Sequence, residues 1–152
     1  MNVFVTVGTT RFDELFEALY QEKKPNWKLV CQTANPAIFY PEMICFDYAN
    51  DIDKYIEVAD VVVTHAGAGS VYSLLEKNKK LVVVPNLYRI DKHQSDLAEY
   101  VHKERYAISC FNMSDLGDCI ELARTFQSQK YRKVEFFKGE EISAIINQVL
   151  HQ

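Results

Sequence analysis

The sequence of 152 residues lacks several features that would fix its class at once. No apolar run approaches the roughly 18–20 residues that a membrane-spanning helix needs. The start, Met1-Asn2-Val3-Phe4-Val5-Thr6-Val7, has neither the basic flank nor the small-residue cleavage site of a signal peptide. The four cysteines, Cys31, Cys45, Cys110 and Cys119, are widely spaced. They form no Cys-x-x-Cys and have no His pair nearby, which argues against a zinc site or a disulfide framework. Three of them lie in apolar runs, where a free Cys packs as a small core residue. Positive charge is not in excess: 17 Lys and Arg face 21 Asp and Glu, for a net charge of −4. Bulk nucleic-acid binding through phosphate neutralisation is therefore disfavoured. No linker, internal repeat or low-complexity stretch interrupts the chain. The expectation is one soluble, intracellular, reduced domain over residues 1–152.

What is present is a globular composition, 48% hydrophobic and 25% charged. Short apolar runs alternate with helical patterns, the mark of a parallel α/β sheet. Residues 2–7, 27–32, 43–48, 60–64 and 81–85 read as strands, with residues 106–110 as an edge strand. Residues 11–22, 52–58, 70–77 and 91–103 read as the helices between them. Ser114 is expected to cap a further helix with the stripe Leu116, Cys119, Ile120, Ala123 and Phe126. A last helix over residues 140–150 carries Ile142, Ile145, Ile146, Val149 and Leu150 on one face. The fold class is α/β, a doubly wound Rossmann-like parallel sheet of about six strands.

Ligands of such sheets bind outside the carboxyl ends of the strands. Two loops there combine glycine with hydroxyls: Gly8-Thr9-Thr10 after the first strand and Gly67-Ala68-Gly69-Ser70 after the fourth. Glycine lets backbone N–H groups approach an anion, and a following helix start adds partial positive charge. Two such loops on one edge suit a diphosphate, although each also reads as a plain tight turn. Neither is a dinucleotide fingerprint, since Tyr72 stands where a third glycine would be required. No Walker motif and no G-x-S-x-G occurs.

His65 directly follows the fourth strand and belongs at the same edge, either as a phosphate donor or as a His satisfied by backbone carbonyls. His93 and Gln94, early in the helix after the fifth strand, either read sugar hydroxyls or form a solvated helix face. Lys77, Lys79 and Lys80 cap a helix end, as dipole compensation and for solubility. The run Lys130-Tyr131-Arg132-Lys133, followed by Phe136-Phe137, is a solvated connector or faces an anionic membrane surface or a partner. Spacing alone does not group Asp47, Asp51 and Asp60 as metal ligands.

Three segments, VFVTVGTTRFD (residues 3–13), ADVVVTHAGAGS (59–70) and LVVVPNLYRIDKHQSDLA (81–98), resemble the small catalytic subunits of two-component glycosyltransferases. Such subunits include PssE-like chains of bacterial polysaccharide synthesis and the eukaryotic subunit that adds the second GlcNAc to lipid-linked GlcNAc. They look like the detached C-terminal, donor-binding half of a MurG-type GT-B enzyme. The resemblance spans nearly the whole chain, with three motifs in order at the right points of the sheet. It implies a single glycosyltransferase family 28 C-terminal-like domain.

By this resemblance His65 is the catalytic residue, neutralising the leaving group. Gly8, Thr9, Thr10, Gly67, Gly69 and Ser70 would hold the donor diphosphate. Ser73, Glu76, His93 and Gln94 would meet the ribose and sugar, and Phe46, Asp47 and Tyr48 the uracil. Ser73 departs from the family, which often has Glu there to accept both ribose hydroxyls; water or Glu76 would take its place. Asn78 replaces a usual glycine, a mild change because Asn tolerates a left-handed conformation.

The implied reaction is inverting hexosyl transfer from a UDP-sugar to a lipid-linked saccharide, with no cofactor and no metal. The implied partner is a membrane-associated, PssD-like acceptor-binding subunit that recruits the chain to the cytoplasmic membrane face, with the apolar stripe of the last helix as a candidate docking face. The alternative is a non-catalytic nucleotide-sugar-binding module that regulates or scaffolds a partner. The residues leave the sugar open.

Overall fold

The sheet grows from β-branched runs that alternate with amphipathic helices. In the computed structural model, which describes residues 1–88 and 93–133, the strands are β1 Asn2–Thr6, β2 Lys28–Gln32, β3 Met43–Phe46, β4 Val61–His65, β5 Leu81–Val84 and β6 Ile108–Ser109. The helices are α1 Asp13–Glu22, α2 Asp53–Val58, α3 Ala68–Glu76, α4 His93–Lys103 and α5 Leu116–Thr125. All five strand pairings are parallel, in the order β3-β2-β1-β4-β5-β6. The chain winds outward twice from the β1–β4 pair, so the loops after these strands diverge and leave a crevice.

β4 and β5 are buried along their whole length, as central parallel strands with both faces covered must be. Alternate side chains feed two cores. Val3, Val5, Val61, Val63, Val82 and Val84 pack under α1 and α5 with Leu15, Phe16, Leu19, Leu116 and Ile120. On the other face, Phe4, Val62 and Val83 pack under α2, α3 and α4 with Ile56, Val71, Leu74, Leu75, Ala98 and Val101. Full burial of a Val or Leu side chain contributes about 1.5–3 kcal/mol, so each layer stabilises the sheet independently.

The elements differ from the sequence reading at several ends. β3 stops at Phe46, because the carboxylate of Asp47 accepts from the Tyr48 amide at 2.8 Å and turns the chain. α3 begins at Ala68, which puts Gly69 and Ser70 in its first turn. Ser114 is not the cap of α5. The Asn112 side chain accepts from the Ser114 amide and starts a 3-10 turn, Met113–Asp115, that leads into the helix.

The lysine run caps helix ends, but those of neighbouring helices. Lys79 Nζ donates to the carbonyls of Glu57 and Ala59 at the end of α2, and Lys80 Nζ to that of Arg124 at the end of α5. Tyr131 of the 130–133 run is half-buried against Tyr72 and Tyr106, at ring distances of 5.6 and 5.5 Å, so the run is anchored at that ring. Phe136, Phe137 and the helix expected over residues 140–150 lie outside the described residues. Among the described residues no helix is long and apolar enough to cross a membrane. All four cysteines are free.

Candidate functional site

The crevice between β1 and β4 opens into a cavity of about 380 Å³. One wall comes from the ends of β1 and β2, with Thr6, Gly8, Thr9 and Gln32; a second is the first two turns of α3, with Gly69, Ser70 and Ser73. The third is the segment after β3, with Tyr48, Asn50, Ile52 and Asp53. Walls of this kind are polar at the sheet edge and apolar toward Ile56 and Leu74, which suits a ligand with an anionic end and a flat organic end.

Local bonding explains the shape of the first wall. Gly8 has φ +60°, a left-handed conformation open to glycine at little cost. Its amide donates to Thr6 Oγ1 at 3.2 Å, and the Thr6 hydroxyl donates to Gln32 Oε1 at 3.1 Å. Gln32 Nε2 returns to the Gly8 carbonyl at 3.4 Å. Three groups thereby hold the loop closed from beneath. Beyond the loop, Arg11 pairs with Asp13, which also accepts from Asn35 at 3.0 Å. The guanidinium keeps the Asp13 carboxyl below the usual carboxylate range.

The second wall is a helix start without a capping side chain, because its N-cap is Gly67. First-turn amides of such a helix have no intrahelical partners and point toward whatever sits at the end. His65, only 9% exposed, fills the space between the two loops. A Cβ on Gly8 would lie 3.8 Å from His65 Cε1 and 3.9 Å from Ser70 Oγ. A Cβ on Gly67 would lie 2.4 Å from His65 Nε2, so glycine is required there for the ring to sit where it does. Gly8, His65, Gly67 and Ser70 are thus brought together from two separate loops, an arrangement that can hold an anion.

The other expected residues are placed as follows. Thr9, Gly69, Ser73 and Tyr48 line the cavity with Gly8 and Ser70; His65 and Gly67, which sit behind these loops, and Thr10, Glu76, His93, Gln94, Phe46 and Asp47 do not. The Thr10 amide donates to the Val7 carbonyl at 3.2 Å, closing the loop turn. Glu76 pairs with Lys133 at 3.2 Å. Phe46 packs on Tyr55 at 5.2 Å, behind the third wall. Gln94 Oε1 accepts from the Asn86 amide at 2.9 Å, tying the loop after β5 to α4, and His93 is the exposed first residue of that helix. Gln32, Asn50, Ile52 and Asp53 were not singled out in the sequence. Gln32 was legible as the last residue of a strand ending at the ligand edge, whereas the others reach the cavity only through the docking of α2.

The chain matches the model of the glycosyltransferase family 28 C-terminal domain over residues 2–149. It is 38% identical over 122 residues to the UDP-N-acetylglucosamine transferase subunit ALG13 of Homo sapiens, covering 71% of this chain and 11% of that protein. It therefore spans about a tenth of the length of this curated relative. The crystal structure of Acinetobacter baumannii MurG superposes with a TM-score of 0.64 at 17% identity, over 97% of this chain and 52% of that one. An NMR solution structure of ALG13 superposes with a TM-score of 0.53 at 18% identity, over 99% of this chain and 97% of that one. These two superpositions agree with a Rossmann-like half of a GT-B enzyme.

Proposed function

The chain belongs to the family of glycosyltransferase family 28 C-terminal domains, and from that footing we propose that it is the donor-binding catalytic subunit of an inverting UDP-sugar hexosyltransferase. The observation that carries this reading is the meeting of two glycine loops around His65 at the β1–β4 crevice. In it, the diphosphate lies against Gly8, Thr9, Gly69 and Ser70, and the uracil against the segment from Tyr48 to Ile52. An acceptor hydroxyl attacks C1 of the sugar while the bond from C1 to the phosphate oxygen breaks. The charge that develops on the departing UDP is met by the loop amides, the start of α3 and the imidazole of His65. Fixed dipoles of this kind stabilise the transition state without reorganising during the reaction.

The acceptor and the general base belong, in this reading, to a membrane-associated partner subunit that recruits the chain to the cytoplasmic membrane face. The name of the human relative favours N-acetylglucosamine as the sugar; the acceptor in this reading is a lipid-linked saccharide.

The test is an NMR titration of the full chain with millimolar UDP, beside ADP and NADH. Selective UDP shifts at Gly8, Thr9, Gly69, Ser70 and Tyr48 are expected; equal responses to all three, or none, would refute donor binding. In a reconstituted pair, His65→Ala should lower transfer at least a hundredfold, the usual scale for one lost transition-state donor. UDP binding with transfer unchanged by His65→Ala would remove the catalytic role.

A further inference from the structure

We propose that Asp53, a residue outside the glycine loops and the β4–α3 motif, recognises the ribose diol of the nucleotide; this rests on the donor-binding reading above. Asp53 is the one charged side chain among the described residues that line the cavity. A carboxylate beside a diphosphate site faces a constraint, because it repels phosphate and must meet a part of the ligand that donates hydrogen bonds. The vicinal hydroxyls of a ribose do so, and a carboxylate oxygen pair accepts from two adjacent donors. Acidic recognition of a ribose hydroxyl recurs in nucleotide-binding sheets of this topology.

The position of Asp53 fits that role. It stands on α2, across the cavity from the glycine loop after β1, and on the same side as Tyr48 and Asn50. Its Oδ1 is held by Lys77 Nζ at 2.5 Å. Lys77 is the C-cap of α3, one helical turn beyond Ser73, so the lysine ties the carboxylate to the end of α3 on the side that borders the cavity. An ionised carboxylate has about four lone-pair sites, and one ammonium contact leaves room for hydroxyl donors. The Ser73 hydroxyl, exposed on the same border, supplies one further polar group but not a paired acceptor. The ion pair thus orients Asp53 and offsets part of its repulsion for the phosphates.

Affinities of UDP and 2′-deoxy-UDP are measured by calorimetry on the full chain and on its Asp53→Asn, Lys77→Gln and Glu57→Gln variants, with melting curves to establish folding. The wild-type chain should prefer UDP by about tenfold, the scale of one charge-assisted hydrogen bond. Asp53→Asn should bring UDP down to the level of 2′-deoxy-UDP while leaving 2′-deoxy-UDP within about twofold. Lys77→Gln should weaken the preference less, about threefold, and Glu57→Gln, an exposed acid on the same helix, should leave it intact. Loss of a phosphate-repelling charge alone would tighten both nucleotides equally, and that result overturns the assignment. A wild-type chain that prefers UDP over ADP but binds the deoxy nucleotide equally well refutes Asp53 alone. A chain without UDP selectivity refutes the donor-binding reading, and the Asp53 role with it.

Discussion

Gly67 lies against the imidazole of His65 so closely that a Cβ there would stand 2.4 Å from Nε2 and 2.9 Å from Cε1. The ring is 9% exposed and wedged between two loops, so it has little room to yield. Gly67→Ala should therefore displace either the ring or the start of α3, at a cost of about 1–3 kcal/mol in unfolding free energy. Gly69 is the informative contrast, because a Cβ there meets nothing within 4 Å and the residue sits in a helical first turn. Gly69→Ala should raise stability by roughly 0.5–1 kcal/mol through helix propensity and still weaken UDP binding, since its methyl enters the cavity. Urea melts and UDP titrations of the two variants give the answer. A Gly69→Ala chain that binds UDP normally would show that the ligand does not approach this helix start.

Gln32 is 2% exposed, and its amide holds both the Thr6 hydroxyl and the Gly8 carbonyl. Gln32→Leu keeps the volume similar but leaves the Thr6 donor buried without its acceptor. The expected loss is about 1–3 kcal/mol of stability. Because the same amide closes the Gly8 loop, UDP affinity should fall with it. Loss of stability with unchanged affinity would make the network a strand-end brace only.

The strands were legible because five runs of β-branched and aliphatic residues are bounded by polar turns. Residues 81–84 could be nothing else in a chain with helical patterns on either side. The strand order and the cavity were not legible at this level, because they depend on which helices cover which face. Asp53 shows why: residues 52–58 read correctly as a short helix, but only its docking beside α3 turns Asp53 toward Lys77 and Ser73. The cap of α5 failed for a local reason. Asn112 and Ser114 are both good cap residues, and the choice between them was made by a 3-10 turn. Asn78, which stands in for a usual glycine because Asn tolerates the left-handed conformation, has φ +53°.

Thr64, in the middle of the buried sheet, is fully shielded, and its Oγ1 has no hydrogen-bond partner among the described residues. It pairs with Thr6 on one side and Val83 on the other. A buried hydroxyl without a partner loses its hydration with no return, so Thr64→Val should raise stability by about 1 kcal/mol. Chemical denaturation of the single variant decides this. A decrease would mean that the hydroxyl is satisfied in solution, with water as the natural candidate to bridge it.

Cys31 and Cys45 are direct partners on β2 and β3, the first fully buried and the second half-buried at the sheet edge. The Cys31 thiol donates to the Cys45 sulfur, which brings Cys45 down to about 7, while the same bond and burial push Cys31 well above the ordinary thiol range. The sign follows directly: near pH 7 about half of Cys45 is thiolate, and the nucleophilic fraction falls to about a tenth at pH 6. Iodoacetamide at neutral pH should therefore modify Cys45 and leave Cys31 intact, as read by mass spectrometry of peptides. Cys31→Ala removes the donor and should return Cys45 toward the free-thiol value of about 8.5. The thiolate fraction at pH 7 then falls more than tenfold, partly offset by the greater nucleophilicity of a more basic thiolate. The net rate of alkylation should drop about three- to fourfold at pH 7 and rise about three- to fourfold at pH 9. A rate at pH 7 unchanged by Cys31→Ala would mean that the lowering comes from elsewhere, with the backbone bond to Tyr40 as the remaining source.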